Sequence, residues 1–131
     1  MESFGYLMQG FSTAMQPTNL IFAVIGCLLG TIIGILPGVG PAAGTAMLIP
    51  ITFVLDPTPA IIMLAAIYYG AMYGGTITSV LVNVPGEAAS AITCIEGYEM
   101  AKRGRAGPAL AVAAIGSFVG GNVATIGLVL L

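Results

Sequence analysis

The sequence predicts an all-α polytopic membrane protein, a transmembrane helix bundle with a Gly/Pro-broken helix or re-entrant hairpin near residues 36–55. Three observations predict it. Hydrophobic residues make up 58% of the chain and charged residues 6%, with a mean hydropathy of +1.07, whereas a soluble domain carries about a quarter charged residues. The apolar residues come in long runs rather than at the short amphipathic spacing of a soluble helix. Within those runs, Leu36-Pro37-Gly38-Val39-Gly40-Pro41 removes backbone donors and permits positive φ, so a helix must break there.

The elements follow in order. Phe4, Leu7, Met8, Phe11 and Met15 recur at three- and four-residue spacing, which reads as an interfacial helix within residues 1–17, lying along the bilayer and ended by Pro17. Thr18 or Asn19 is the expected cap of the first membrane segment, 20–36, where Gly26, Gly30 and Gly34 form a smooth stripe for close helix approach. A second, short segment covers 41–55. It is either one arm of a re-entrant hairpin or a kinked, tilted span. Asp56-Pro57-Thr58-Pro59 is a turn with a helix start built in, and a long segment follows over 59–82. The last segment, 109–131, carries Gly116 and Gly120 at close-packing spacing. Residues 18–131 thus read as a transmembrane domain with three to four membrane segments.

The loop 83–108 holds six of the eight charges, including the three basic residues Lys102, Arg103 and Arg105. Under the positive-inside rule it is cytoplasmic. The N-terminus is then outside if 37–55 spans and inside if it turns back. The chain ends within an apolar run at Leu131 and reads as part of a larger protein.

Composition also excludes functions. Net charge is −2 with no basic stripe, which removes the electrostatic basis for nucleic-acid binding. The chain has no His, and Cys27 and Cys94 show no metal or redox spacing and read as small buried residues. No nucleophile stands beside a plausible base, so an enzyme is not expected. No cofactor is expected from these residues.

Two patches carry the candidate chemistry. Irregular backbone at membrane depth is tolerated where protein or a watery cavity surrounds it. In transporters such breaks aim half-helix N-termini at anionic groups. The helix start at Pro41, with Gly38, Gly40, Gly44 and Thr45, is therefore a candidate carboxylate site, its amides and the Thr45 hydroxyl pointing back into the loop; a plain kink is the alternative. The second patch is Thr76, Thr78, Ser79 and Asn83, followed by Pro85-Gly86. Thr76, Ser79 and Asn83 share one helix face by spacing and suit carboxylate hydrogen bonds or a Na⁺ ion; hydroxyls bonded back to the preceding turn are the alternative. Tyr68, Tyr69 and Tyr73 sit too centrally for an interfacial belt, so at least one needs an internal partner. Of the acidic residues, Glu87 alone is kept as a site candidate, beside the Asn83–Gly86 break.

A resemblance adds to this reading. The run Gly26-x3-Gly30-x3-Gly34-x-Leu36-Pro37-Gly38-x-Gly40-Pro41 resembles the permease family of tripartite tricarboxylate transporters, the large membrane subunit called TctA. The likeness continues through Pro50-x-Thr52-Phe53, Ile67-Tyr68-Tyr69-Gly70-Ala71-Met72-Tyr73-Gly74-Gly75, Leu81-x-Asn83-x-Pro85-Gly86, Glu96-Gly97-Tyr98 and Met100-Ala101-x-x-Gly104-x-Ala106-Gly107. Glu96 and Glu99 stand where the family pattern has Asp and Pro. The resemblance implies a large subunit of around a dozen helices in the bacterial inner membrane. It further implies a small membrane subunit, a periplasmic substrate-binding protein, an ion gradient as driving force and a small carboxylate such as a tricarboxylate as cargo. The residues alone leave open a structural subunit or a channel-like bundle without a substrate site in this segment.

Overall fold

The computed structural model describes residues 2–131 as six α-helices and one short 3-10 turn, with no strand among the described residues. In chain order these are α1 (Glu2–Ala14), α2 (Pro17–Gly34), α3 (Pro41–Thr52), α4 (Pro57–Val82), the turn Ala88–Ser90, α5 (Ala91–Lys102) and α6 (Ala106–Leu130). The all-α membrane architecture is as expected. Three helices, α2, α4 and α6, are long and apolar enough to cross a membrane, and α3 is a shorter apolar helix.

The centre of the fold is the crossing of α2 and α4. A Cβ at Gly26 would lie 2.6 Å from the Met63 carbonyl oxygen; at Gly30 it would strike the Ile67 carbonyl, and at Gly34 the Ala71 carbonyl. From the other side, Gly70 meets the backbone of Cys27 and Thr31, and Gly74 that of Thr31 and Gly34. Absence of side chains lets the two backbones touch, the small-residue contact that drives helix association where lipid offers no hydrophobic force. Rising numbers on α2 pair with rising numbers on α4, so the two helices run parallel. Residues 35–56 must therefore carry the chain back to the starting side of α2. Twelve residues of α3 provide about 18 Å of that return, and the turn at 53–56 provides the rest.

Several boundaries differ from the sequence reading, each for a local reason. Helix α2 starts at Pro17, not beyond Thr18, because proline at the first helical position forfeits no bond. Asn19 does not cap it: its buried Nδ2 donates to the Thr13 carbonyl at 2.6 Å and closes the end of α1 instead. Helix α3 stops at Thr52, short of 55. Pro50 lies inside it and contributes no N–H, and the last carbonyls are taken by Phe53 N–H, at 3.3 Å from the Pro50 oxygen, and by the Thr52 hydroxyl, at 2.7 Å from the Ile49 oxygen.

The expected loop 83–108 contains a full helix, α5. Its Gly97 packs on α4, where a Cβ would come within 2.8 Å of Val80 Cγ2. It ends in a Schellman turn: Gly104 has φ +75°, its N–H donates to the Ala101 carbonyl, and the Arg105 N–H donates to the Met100 carbonyl, both at 2.9 Å. Outside the cavity described below, Lys102 pairs with exposed Glu99 at 2.5 Å. The hydrogen bond and charge of Lys102 hold the Glu99 carboxyl below its ordinary pKa, and the same pair raises Lys102.

Helix α6 runs antiparallel to α4 and stands off it. Tyr73 Oη donates to the Leu110 carbonyl at 3.2 Å and Tyr69 Oη to the Ser117 carbonyl at 3.1 Å, which supplies the internal partner expected of these tyrosines. Gly116 and Gly120 meet nothing within 4 Å. Their spacing is used for no contact among the described residues, because two tyrosine rings hold the helices apart. Met63, Ile67, Ala71, Val80 and Ala109 are the buried apolar residues. Most other large apolar side chains are exposed, Phe118 at 67% and Leu128 at 77% among them, a surface that suits lipid rather than water.

Candidate functional site

The first patch lies in the turn between α2 and α3. Gly38 has φ +84°, a left-handed conformation that glycine adopts without a Cβ penalty. Gly40 is the extended residue before α3 (φ −65°, ψ 167°), and Pro41 is the first helical residue. Neither Gly38 nor Gly40 has an atom within 4 Å of a built Cβ, so this turn is open. The Gly44 N–H donates to the Gly40 carbonyl at 3.0 Å. Ala42 and Ala43, both exposed, carry amides ahead of the intrahelical ladder. The Thr45 hydroxyl does not reach back to the loop: it donates to the Pro41 carbonyl at 2.8 Å. Gly44 is buried, 3.0 Å from Ile33 Cγ2 and 4.0 Å from Ala71 Cβ in Cβ terms.

The second patch is split by the structure. Thr78 faces α2, where its hydroxyl is 2.9 Å from the Ile35 carbonyl and 3.3 Å from that of Gly74. The helix break leaves Ile35 O without an intrahelical donor, and Thr78 satisfies it across 43 residues. Ser79 is fully buried and donates to the Gly75 carbonyl at 2.8 Å. Thr76 is half-buried and donates to the Met72 carbonyl at 3.3 Å. Asn83, exposed, has φ +60°; this left-handed residue ends α4, so it leaves the face that helical spacing assigned it. Gly86 lies against Gly75 backbone to backbone: a Cβ on Gly75 would meet Gly86 Cα at 3.4 Å. The chain after α4 thus folds back seven residues along the helix, roughly 10 Å at 1.5 Å per residue.

That fold-back brings Glu87 inside. A cavity of about 730 Å³ opens between α2, α4, the 86–90 turn, α5 and α6. Its lining is mostly apolar, with Met72, Phe118 and several alanines and glycines, and its polar side chains are Thr31, Tyr69, Tyr73, Thr76, the half-buried Glu87, Ser90, Thr93 and Ser117. Sequence reasoning reached Thr76 and Glu87 but missed Thr31, Ser90 and Thr93. The three-residue spacing Glu87-x-x-Ser90-x-x-Thr93 was an available signal, hidden by reading this region as loop. Neither Gly38 nor Gly40 lines this cavity, so the first patch is separate from it. Among the described residues no cluster of three His, Cys, Asp or Glu side chains could hold a metal ion.

Three long apolar helices, with a glycine–proline turn between the first two, support a multi-pass membrane protein. The family model described as the tripartite tricarboxylate transporter TctA family matches residues 20–131. The chain belongs to that family, a family of transporter membrane components and not of enzymes. It is 54% identical over 126 residues to an uncharacterised 52.8 kDa protein of the TAR-I ttuC' 3' region of Agrobacterium vitis, a match covering 96% of this chain and 25% of the relative. The chain thus spans about a quarter of the length of the curated relative it matches. No solved structure matches it.

Proposed function

We propose that the chain forms the N-terminal part of the permease of a secondary, ion-gradient-driven transporter for tricarboxylates or related carboxylates in the bacterial inner membrane. A periplasmic binding protein delivers the cargo, and a small membrane subunit completes the assembly. The observation that carries the reading is the open turn at Gly38–Gly40 followed directly by the start of α3. Backbone amides at a helix start offer partial positive charge to a carboxylate without any Lys or Arg. Gly38 and Gly40 let the anion approach the backbone, and Gly44 lets α3 seat against Ile33. Thr78 fixes the turn through Ile35, while Ser79, Asn83 and Gly86 shape the end of α4 on which it rests. Na⁺ is the coupling cation proposed near Thr76.

The back-bonded hydroxyls of Thr45, Thr76 and Ser79 favour a second reading, a structural subunit in which the breaks only pack helices. Uptake of a labelled carboxylate panel, with the partner genes present or deleted and the Na⁺ gradient imposed or collapsed, separates the two. The transport reading expects uptake of at least one carboxylate that is lost without the binding protein and without the gradient. Uptake indifferent to both would contradict it.

A further inference from the structure

Helix α6 is held off α4 by the hydroxyls of Tyr69 and Tyr73, and the cavity of about 730 Å³ lies in the groove between them. The groove continues past Tyr69 and Phe118 into a second hollow of about 430 Å³, bordered also by Asn122 and Thr125. Two kinds of residue make its walls. Ala114, Gly120 and Ala124 of α6 present almost bare backbone, a surface that membrane helices approach closely. Polar groups with unbonded atoms stand among them. The Thr93 and Ser117 hydroxyls line the cavity and find no acceptor among the described residues. Asn122 commits its Nδ2 to the Phe118 carbonyl at 2.7 Å and keeps Oδ1 as an acceptor. It is exposed within a helix long and apolar enough to span a membrane, and polar side chains in such helices face the bundle interior because hydrocarbon gives them no partner. An acyl chain could cover the apolar wall but would leave these donors and this acceptor unpaired. A helix can do both.

We infer that the groove between α4 and α6 is the docking surface for a membrane-spanning helix from the remainder of the permease. On the permease reading, on which this rests, the chain is a fraction of the whole molecule: it covers 25% of the matched relative, so most of the polypeptide lies outside it. The dimensions agree. A helix with small side chains, about 10 Å across, fills about 80 Å³ per ångström of length, so the larger hollow takes roughly 9 Å of it, close to two turns. The lining sets the occupant's chemistry. It is apolar overall, small where it meets Gly120, and carries at least one hydrogen-bonding side chain at the level of Ser117 and Asn122. The dock is distinct from the Gly38–Gly40 turn, which does not border this cavity.

The test is photocrosslinking of the whole permease, purified with its small subunit and reconstituted in phosphatidylethanolamine–phosphatidylglycerol vesicles. Phe118 borders both hollows, and Phe118→p-benzoylphenylalanine keeps an aromatic ring there. After irradiation and digestion, mass spectrometry is expected to find residue 118 joined to a peptide of the same polypeptide beyond residue 131. Adducts confined to lipid, to the small subunit or to a second copy of the permease would overturn the dock. Asn122→Leu gives an independent reading by thermal melting in the same vesicles. A docked helix that bonds Asn122 makes the midpoint fall, by about a few degrees, whereas an Asn122 facing lipid makes it hold or rise, and either of those results would overturn the dock. Uptake of labelled carboxylate by the same vesicles separates the two claims. Uptake without the crosslink strikes the docking alone, and the crosslink without uptake strikes the transport reading alone.

Discussion

Gly30→Ala is the substitution that most directly probes the α2–α4 crossing. The added methyl would be driven into the Ile67 carbonyl, with Ile67 C and Cα both at 2.8 Å. All are backbone atoms that no rotamer change can move. Restoring an ordinary contact needs the helices to part by roughly 1 Å, a gap that already forfeits a quarter to a half of each dispersion well it opens. Gly26, Gly34, Gly70 and Gly74 share the same seam, so the loss spreads along several turns. Overpacking of a close-packed site costs about 1–3 kcal/mol, and a seam with no yielding side chain belongs at the upper end. The assay is thermal melting of the detergent-solubilised permease, followed by size-exclusion of a fluorescent fusion. Gly30→Ala is expected to lower the midpoint by on the order of 5 °C, and Gly116→Ala, with nothing within 4 Å, to leave it in place. Equal midpoints for the two variants would refute the claim that backbone contact at this seam holds the bundle.

The other predictions concern single bonds and topology. Thr78→Val removes the donor to the Ile35 carbonyl and should destabilise by about 1–3 kcal/mol, whereas Thr78→Ser should be close to neutral; the same melting assay reads both. Tyr73→Phe and Tyr69→Phe each remove one tether to α6. Each should cost about 1 kcal/mol, and limited proteolysis near residue 105 should quicken more in the double variant than in either single one. Because α2 and α4 run parallel, α1 and the charged loop lie on opposite faces. In a background lacking Cys27 and Cys94, Ser3→Cys should react with an impermeant maleimide from outside the cell and Glu96→Cys only after permeabilisation. Labelling of both from the same side would contradict the parallel crossing.

Local signals were legible in the sequence. The break at Leu36–Pro41, the long α4 and the packing role of Gly26, Gly30 and Gly34 each follow from proline, glycine and apolar periodicity within one segment. The need of a central tyrosine for a partner was also local, although its identity, a carbonyl on α6, was not. What escaped depends on contacts distant in sequence. Helix α5 was hidden because its apolar and charged residues gather on no single face, and it is seated by Gly97 against Val80. The Thr78–Ile35 bond joins residues 43 apart. The shared face assigned to Thr76, Ser79 and Asn83 holds only while the helix continues, and Asn83 leaves it with φ +60°. Glu87 looked like a loop acid because nothing in the sequence says that Gly86 returns to Gly75.

The carboxylate site at the α3 start is the centre of the functional account, and Gly40→Leu tests it most directly. Gly40 has ordinary negative φ and no atom within 4 Å of a built Cβ, so the variant should reach the membrane at the wild-type level while its side chain occupies the open turn. The measurement is initial uptake of the labelled carboxylate that the wild type carries best, divided by membrane protein measured on blots of the same cells. The account predicts uptake reduced by at least about tenfold, the loss of roughly 1.4 kcal/mol of substrate interaction. Wild-type uptake at the wild-type level would contradict it and leave the Gly38–Gly40 turn a structural break.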